Sequence, residues 1–319
     1  MDFEEIKELC CDLAHEIRAM VRPHLGDPEA RKMMGRGAGG DSTFAIDEVA
    51  ESLVEKRLDA IPEVAYLSED RGLVGKESAS WVLVVDPIDG TRPAAAGFEA
   101  CCVSIAAAAF DKSGSNTLGD VLFGLIEEIK NEASFEAERG KGCRMSSGGV
   151  EKQVILREEP DISALFWTLG FRGRPALPLI LVLEDLIDAS SVDGGIFDLG
   201  SATYCITRLL TGQLDAYVDV GDRMLREAPG LEEKFLAAGH GHVLNNSSYD
   251  LAAAALIAAE AGIVVRDAFG RSLESYPLLA CGKEGQLSCV AATSPALANE
   301  IISRVDAGME CMKRHYGWK

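Results

Sequence analysis

The chain has 319 residues, 47% of them hydrophobic and 26% charged, a composition that is typical of globular proteins and argues against a disordered or fibrous one. Its 31 Lys and Arg face 51 Asp and Glu, and this net charge of −20 disfavours nucleic-acid polymers and membranes as partners while favouring divalent cations where carboxylates converge. Nine cysteines without a C-x-x-C pair, and an acidic N-terminus without a signal-peptide pattern, predict a cytoplasmic protein with free thiols.

The first half of the sequence predicts two helices followed by a series of strands. Apolar residues with helical spacing extend from the N-terminus to Pro23, and the same spacing returns over Phe44–Leu58. Apolar and β-branched runs then predict strands at Trp81–Val85, Val103–Phe110, Val121–Ile126 and Ala133–Ala137. The turn residues Ser146–Gly149 predict a boundary, which divides the chain into an N-terminal subdomain over residues 1–149 and a C-terminal one over residues 150–319.

In the second half, helical and strand patterns alternate, as expected for an α/β unit. Helices are predicted at Ile180–Ile187, Gly200–Leu210, Leu251–Ala261 and from Pro295 onwards. Strands are predicted at Ala216–Val220, Ile263–Arg266 and Ser288–Ala292.

The clearest chemical motif is the hexapeptide Asp86-Pro87-Ile88-Asp89-Gly90-Thr91, which directly follows a predicted strand. Two carboxylates at the end of a strand can converge on one point, and Mg²⁺ prefers such oxygen ligands. Gly90 allows an anion to approach the backbone closely, and the next amides can donate to a phosphate. Although a lone D-x-x-D would be an ordinary Asx turn, the full hexapeptide after a buried strand favours a metal and phosphate site.

Four further acidic residues could join this site: Asp41, Asp47, Glu69 and Asp250. Taken singly, Asp41 and Asp250 are typical helix caps and Glu69 is a typical loop acid. Their combination with the hexapeptide is more specific than any one of them.

In their order along the chain, these motifs resemble the inositol monophosphatase and fructose-1,6-bisphosphatase superfamily of metal-dependent, lithium-sensitive sugar phosphatases. The matching segments are Asp41–Glu51, Leu67–Asp70, Trp81–Thr91, Gly200–Asp219 and Tyr249–Gly262. The resemblance covers nearly the whole chain. It implies an α/β (α+β) fold, a layered αβαβα sandwich of two subdomains with the site in their cleft, and a homodimer.

The resemblance also implies two or three Mg²⁺ ions and a role for each matching residue. The oxygen ligands of these ions would come from Asp47, Glu69, Asp86, Asp89, Asp250 and the carbonyl of Ile88. The residues of catalysis would be Glu69, Thr91 and Asp47, with Thr91 and Asp47 helping to activate the attacking water. The substrate contacts would be the amides of Gly90 and Thr91 for the phosphate, and Ser201, Ala202 and Asp219 for the sugar.

The function implied is a Mg²⁺-dependent phosphomonoesterase that acts on a small phosphorylated polyol or sugar, such as inositol 1-phosphate or fructose 1,6-bisphosphate. A carboxylate cluster needs no Cys or Ser nucleophile, so we expect direct hydrolysis by water without a phosphoenzyme. Two alternatives stay open: a 3′-phosphoadenosine-5′-phosphate phosphatase, and a catalytically weak, metal-binding scaffold protein of the same family.

This sequence departs from the family pattern at several places. Arg92 follows the hexapeptide, where it would either contact a substrate anion or face solvent, and Asp219 is shorter than the Glu that is frequent at its position. Between Asp219 and Asp250 lies an insertion over residues 222–248 that contains His240 and His242. We expect this insertion to be a mobile loop, acting as a lid or specificity element, rather than a His-x-His metal site.

Overall fold

A computed structural model describes residues 1–38, 40–157 and 161–318 of the chain. The helices are α1 (Phe3–Val21), α2 (Ala45–Asp59), α3 (Thr91–Ala96), α4 (Ala176–Ser190), α5 (Ala202–Leu210), α6 (Gly221–Glu227), α7 (Glu232–Ala238), α8 (Ser248–Glu260) and α9 (Pro295–His315). The first strands are β1 (Met33–Arg36), β2 (Ser42–Phe44), β3 (Val64–Ser68), β4 (Gly72–Val74), β5 (Trp81–Asp89), β6 (Cys102–Ala109), β7 (Val121–Glu128) and β8 (Ala133–Glu138). The remaining strands are β9 (Gly142–Ser147), β10 (Val150–Lys152), β11 (Phe166–Leu169), β12 (Gly195–Phe197), β13 (Ala216–Asp219), β14 (Val264–Arg266) and β15 (Cys289–Ala292).

Two large sheets organise these elements. The first has the strand order β10-β9-β8-β7-β6-β5-β3-β4 and is antiparallel except where β3 and β5 run parallel. The second has the order β12-β11-β13-β15-β14, with β12, β11 and β13 parallel to one another. The short strands β1 and β2 pair separately as a hairpin that leads into α2.

The first sheet is buried on both faces because successive side chains of its central strands alternate between two cores. Leu83 and Val85 of β5 pack in the core that contains α1 and α2, whereas Val82 and Val84 pack in the core that contains α5 and α8. This explains why β5 is a continuous apolar run rather than an alternating one.

The second sheet also lies between two helical layers. Tyr217 of β13 and Ala291 of β15 share the core of α5 and α8, while Val218 and Val290 pack against α4 and α9 on the opposite face. The layers are therefore α1 and α2, the first sheet, α5 and α8, the second sheet, and α4 and α9. This confirms the αβαβα sandwich.

Most predicted elements are present, and the boundaries of several are longer than predicted. Strand β5 continues beyond Val85 to include Asp86 and Asp89. The turn residues Ser146–Gly149 close a hairpin, so the first sheet continues to Lys152, and the division of the chain near residue 149 stays a prediction. No helix among the described residues is both long enough and apolar enough to span a bilayer.

The prediction of a mobile loop over residues 222–248 is wrong in one respect, because the segment contains the two helices α6 and α7. Arg223 of α6 anchors it, since its guanidinium donates to the carbonyl oxygen of Ala268 over 2.6 Å. Leu231 and Phe235 are fully buried in the core of the second sheet. Apolar burial, which the two glycines near His240 obscured in the sequence, therefore fixes this segment.

Candidate active site

An irregularity in strand β5 sets the positions of Asp86 and Asp89. Asp86 lies opposite Ser104 of β6 and Asp89 lies opposite Cys102, so two residues of β5 face a single residue of β6 between these pairs. In a regular strand, residues three apart point to opposite faces. The extra residue of this bulge brings both carboxylates to the same side of the sheet.

Hydrogen bonds from neighbouring groups fix both of these carboxylates. Asp86 Oδ1 accepts the N–H of Ile88 over 3.0 Å. Asp89 Oδ2 accepts the hydroxyl of Ser201 over 2.8 Å and the N–H of Thr203 over 2.6 Å, at the N-terminus of α5. Asp89 is thus held between the first sheet and the middle helical layer, where the helix dipole of α5 favours its negative charge.

Asp250 approaches from the other side, in the first turn of α8. It forms a capping box with Ser247, in which Asp250 Oδ2 accepts the N–H of Ser247 over 2.6 Å. Thr203 also donates its hydroxyl to the Asp250 carbonyl oxygen over 2.7 Å. Asp250 is therefore both a capping residue and a residue of the site, because the capping hydrogen bond orients its side chain.

Asp86, Asp89 and Asp250 form a compact carboxylate cluster. One oxygen from each residue lies within 4.8 Å of the other two, and the residues are only 1%, 6% and 8% exposed. Among the described residues, none of the three forms a salt bridge with Lys, Arg or His. Because buried charges need compensation and hard cations need oxygen ligands, this donor set fits a divalent metal ion.

Burial and like charges dominate the electrostatics of the cluster. Burial raises the pKa of Asp86 well above its ordinary value, and the adjacent charges of Asp89 and Asp250 raise it further. Burial and the charge of Asp89 likewise raise the pKa of Asp250 to about 7, against the hydrogen bond from Ser247 and the charges of Arg172 and Arg174. The folded protein therefore disfavours the three negative charges unless a cation joins them.

Glu69 and Asp47 lie near this cluster. Glu69 follows β3 and lines the same cleft as Asp86, and burial together with the charges of Asp86, Asp250 and Asp47 raises its pKa strongly. Asp47 accepts the N–H of Phe44 over 2.8 Å at the start of α2. Burial raises the pKa of Asp47 to about 7, although the Phe44 amide and the Thr91 hydroxyl oppose this shift.

The turn after Asp89 requires glycine. Gly90 has a φ of 92°, and a Cβ atom there would collide with the carbonyl oxygen of Ala100 and lie 3.0 Å from Cβ of Ser201. Thr91 begins α3, and its hydroxyl donates to the Ile88 carbonyl oxygen over 3.2 Å. Ile88, Gly90 and Thr91 line the same cleft as the carboxylates.

The residues predicted to contact the sugar occupy different positions. Ser201 is buried, with its hydroxyl bound to Asp89, and Ala202 borders the cleft beside Asp89 and Asp250. Asp219 is fully buried, forms a salt bridge with Arg174 and accepts the N–H of Gly221 over 2.9 Å. Arg174 borders the cleft, so an arginine stands between the cleft and the acid that was predicted to contact the substrate.

The sequence reasoning missed Arg172 and Arg174. Both follow the short parallel strand β11, which was not predicted, and the carboxyl ends of such strands are common positions for binding residues. Arg172 and Arg92 both form ion pairs with Asp41, and the Arg92 pair spans 3.2 Å. Asp41 is therefore held by arginines at the edge of the cleft rather than placed in the carboxylate cluster.

The insertion reaches this edge as well. His242 packs against Gly40, where a Cβ atom would lie 2.7 Å from the Nδ1 atom of the imidazole. The His240 carbonyl oxygen accepts a hydrogen bond of 3.3 Å from Arg36. The insertion thus contacts the loop that carries Asp41.

The chain is similar to known proteins in both sequence and fold. The chain is 24% identical over 300 residues to a fructose-1,6-bisphosphatase of Pyrococcus furiosus, covering 94% of this chain and 98% of that protein. It is 26% identical over 289 residues to inositol monophosphatase 2 of Homo sapiens, covering 88% and 85%. Among solved structures, an IMPase of Thermotoga maritima shares the fold, with a TM-score of 0.70 and 17% identity over 97% of this chain and 99% of that one. Because the profile of the inositol monophosphatase family matches residues 2–310, the chain belongs to that family and is a phosphoric monoester hydrolase.

Proposed function

We propose that this protein is a Mg²⁺-dependent phosphomonoesterase that hydrolyses a small phosphorylated polyol or sugar, with inositol 1-phosphate and fructose 1,6-bisphosphate as candidates. The observation that carries the proposal is the buried cluster of Asp86, Asp89 and Asp250, whose oxygens lie within 4.8 Å without a basic partner among the described residues. Oxygen-only donors of this kind suit Mg²⁺ better than a transition metal.

In this proposal Asp86, Asp89 and Asp250 hold a first ion, and Glu69, Asp47 and the Ile88 carbonyl are available to further ions. When bound, such ions offset the charge of the phosphate dianion, lower the pKa of a water ligand and stabilise the leaving oxygen.

The protein's own groups position the reactants. Asp47 is fixed by the amide of Phe44, so its carboxylate is held in place to accept a proton. The Thr91 hydroxyl, which contacts Asp47, can pass that proton from a water to the carboxylate. The amides of Gly90 and Thr91, at the start of α3, can donate to the phosphate oxygens.

The middle layer of the fold keeps this geometry rigid. Ser201 and Thr203 hold Asp89 from α5, and Thr203 also holds the backbone of Asp250 at α8. Thr203 therefore forms hydrogen bonds with two of the proposed ligands, Asp89 and Asp250. Preorganised groups of this kind lower the cost of reaching the transition state.

The proposal is tested by phosphate release from a panel of sugar, inositol and nucleotide phosphates, with and without Mg²⁺ and with added Li⁺. We expect Mg²⁺-dependent turnover that Li⁺ inhibits and that Asp86→Asn abolishes. A matched control is Asp120→Asn, which changes an acid that caps a surface turn outside the cleft.

If folded, metal-binding protein releases phosphate from none of these substrates, the result would contradict the proposal and favour the scaffold alternative. Turnover of adenosine 3′,5′-bisphosphate alone would favour the nucleotide phosphatase alternative. A phosphoryl group trapped covalently on the protein would contradict direct hydrolysis by water.

A further inference from the structure

The insertion over residues 222–248 contacts the hairpin of β1 and β2, which belongs to neither large sheet. The two strands pair only with each other, and all four residues of β1 are exposed. A two-stranded hairpin by itself is marginally stable in water. The position of this hairpin at the edge of the cleft therefore depends on the contacts that it makes with neighbouring segments.

One set of contacts comes from Asp70, in the turn between β3 and β4. Its backbone carbonyl oxygen accepts the N–H of Ala38 over 3.1 Å, and its Oδ1 atom accepts the hydroxyl of Thr43 over 2.9 Å. These bonds connect the hairpin to the first sheet.

A second set of contacts comes from the insertion. Arg36 donates from Nη1 to the carbonyl oxygen of Gly40 over 2.9 Å and from Nη2 to the carbonyl oxygen of His240 over 3.3 Å, so one guanidinium joins the two segments. The imidazole of His242 packs on the buried Gly40, where a Cβ atom would lie 2.7 Å from Nδ1. This close approach requires the absence of a side chain at residue 40.

The backbone of the insertion is specialised at this contact. His240 has a φ of 53°, in the left-handed region that favours glycine, and among the described residues no other non-glycine residue has a positive φ. It follows α7 in a Schellman motif, in which the N–H of Gly241 donates to the carbonyl oxygen of Leu236 over 2.7 Å. A strained residue persists where the surrounding structure fixes it, and here the strained turn presents the His240 carbonyl oxygen to Arg36.

The insertion is itself held to the body of the protein on both sides of this turn. Before the turn, Arg223 of α6 pairs with Asp306 of α9 over 2.7 Å, and Phe235 is fully buried. After the turn, the Val243 carbonyl oxygen accepts the side-chain amide of Gln286 over 2.6 Å. The hairpin therefore contacts a fixed support.

The hairpin leads directly to a proposed catalytic residue. Strand β2 ends at Phe44, whose N–H donates to Asp47 Oδ2 over 2.8 Å, so a displaced hairpin would move the amide that orients Asp47. We propose that the insertion is a clamp that fixes the hairpin, with Arg36 and His242 as positioning residues for Asp47. The clamp is a property of the fold, whereas its effect on turnover rests on the proposed function.

Hydrogen exchange measured by NMR tests the clamp without any substrate. The N–H groups of Gly37 and Gly40 donate to the carbonyl oxygens of Asp41 and Gly37 within the hairpin turn. We expect His242→Ala and Arg36→Met each to increase the exchange rate of these two amides by about tenfold, because the turn then opens more often. His242→Phe, which keeps a planar ring, should restore part of the protection.

Two controls separate the clamp from a general loss of stability. His240→Asn changes a side chain that is exposed, keeps the carbonyl oxygen that Arg36 binds and tolerates a positive φ, so it should leave the exchange rates unchanged. The amides of Gly140 and Gly142, which donate to Glu260 in another part of the fold, should exchange at the wild-type rate in every variant.

Turnover of the phosphate ester that the wild type hydrolyses tests the positioning role. We expect His242→Ala to lower kcat by about tenfold and to change KM by less than about twofold, because Asp47 acts on the attacking water rather than on substrate binding. His242→Phe should restore part of kcat, and His240→Asn should retain all of it.

Wild-type exchange rates in both His242→Ala and Arg36→Met would overturn the inference, whether or not phosphate is released. Faster exchange of the hairpin with an unchanged kcat would overturn the positioning role. Faster exchange in a protein that hydrolyses no phosphate ester, even as wild type, would uphold the clamp and contradict the proposed function.

Discussion

The Ser201 hydroxyl donates a hydrogen bond of 2.8 Å to Asp89 Oδ2 while it accepts the N–H of Tyr204 as the N-cap of α5. One side chain therefore joins the start of a helix to a proposed metal ligand of the first sheet. Groups that hold a ligand in this way commonly change metal affinity by about 10- to 100-fold when they are removed.

We therefore expect Ser201→Ala to weaken Mg²⁺ binding by about one to two orders of magnitude and, as for other lost caps, to destabilise the fold by about 1 kcal/mol. Calorimetric Mg²⁺ titration and thermal unfolding measure the two effects. Ser294→Ala is the matched control, since Ser294 caps α9 by accepting the N–H of Leu297. An equal loss of Mg²⁺ affinity in both variants would contradict a direct role for Ser201.

Removal of the metal should expose the repulsion inside the carboxylate cluster. With Mg²⁺ at a hundred times its dissociation constant, the free energy of unfolding should rise by about 2.7 kcal/mol, and a chelator should reverse this. Asp86→Asn should make the metal-free protein more stable than wild type, because it removes one of three buried charges. In the same variant, Mg²⁺ should raise the free energy of unfolding by less than about 0.5 kcal/mol. Stabilisation of both proteins to the same extent would argue against Asp86 as a ligand.

Glu51 provides a pH-dependent contribution to stability outside the proposed ligand set. It accepts hydrogen bonds from the Ser68 hydroxyl and the Asp70 amide, and burial raises its pKa from 4.5 to about 7. Because the folded state favours the protonated form, its contribution is fully present below pH 4.5 and is lost as the pH rises through 7.

We expect Glu51→Gln, which mimics the protonated acid, to stabilise the protein at pH 8 by an amount on the order of 2–3 kcal/mol and to have little effect at pH 4.5. Denaturant unfolding at both pH values measures the difference. Glu48→Gln on the same helix is the control, since Glu48 is half-buried and pairs with Arg71. A benefit of Glu51→Gln that is the same at both pH values would show that its carboxyl does not titrate in this range.

Replacing only one member of the buried ion pair between Asp219 and Arg174 should strongly lower the free energy of unfolding. Asp219→Asn leaves the Arg174 charge in a site that is 6% exposed, so we expect a loss of about 3–5 kcal/mol in the free energy of unfolding. The double variant with Arg174→Met should recover part of this loss, because no unpaired charge remains.

Urea unfolding of the two single variants and the double variant measures the coupling between these residues. Asp185→Asn, which breaks the exposed pair with Arg304, should cost less than about 1 kcal/mol and serves as the control. Additive losses in the double variant would contradict the coupling.

The sequence alone predicted the central part of the fold because long apolar segments leave few alternatives. Strand β5 and its hexapeptide, helix α2, and helix α8 with Asp250 in its capping box depend mainly on local patterns. Asp41 does not cap α2, because strand β2 lies between them and Phe44 is the N-cap. Short strands such as β11, with four residues, give too little periodicity to be recognised. The arginines that follow β11 were missed for the same reason.

The residue with which a side chain interacts was harder to predict than the helix or strand in which that side chain lies. Asp219 occupies the predicted strand end, yet its salt bridge with Arg174 joins residues 45 positions apart in the chain. The bulge that places Asp86 and Asp89 on one side depends on the pairing of β5 with β6, which no local pattern encodes. The sequence therefore predicted the features that depend on local patterns, and it did not predict those that depend on contacts between distant segments.

Helix α8 supplies Asp250 and also covers one face of the first sheet, packing against β5, β6, β7, β8 and β9. All of these strands precede Ser248 in the chain, so during synthesis this face of the first sheet has no α8 to cover it until the helix has been made. The cluster of Asp86 and Asp89 likewise lacks its third carboxylate, Asp250, until α8 packs against the sheet. Under the proposed function, metal affinity would therefore require the docking of α8, and a chain that ends before Ser248 would lack both this covering helix and Asp250.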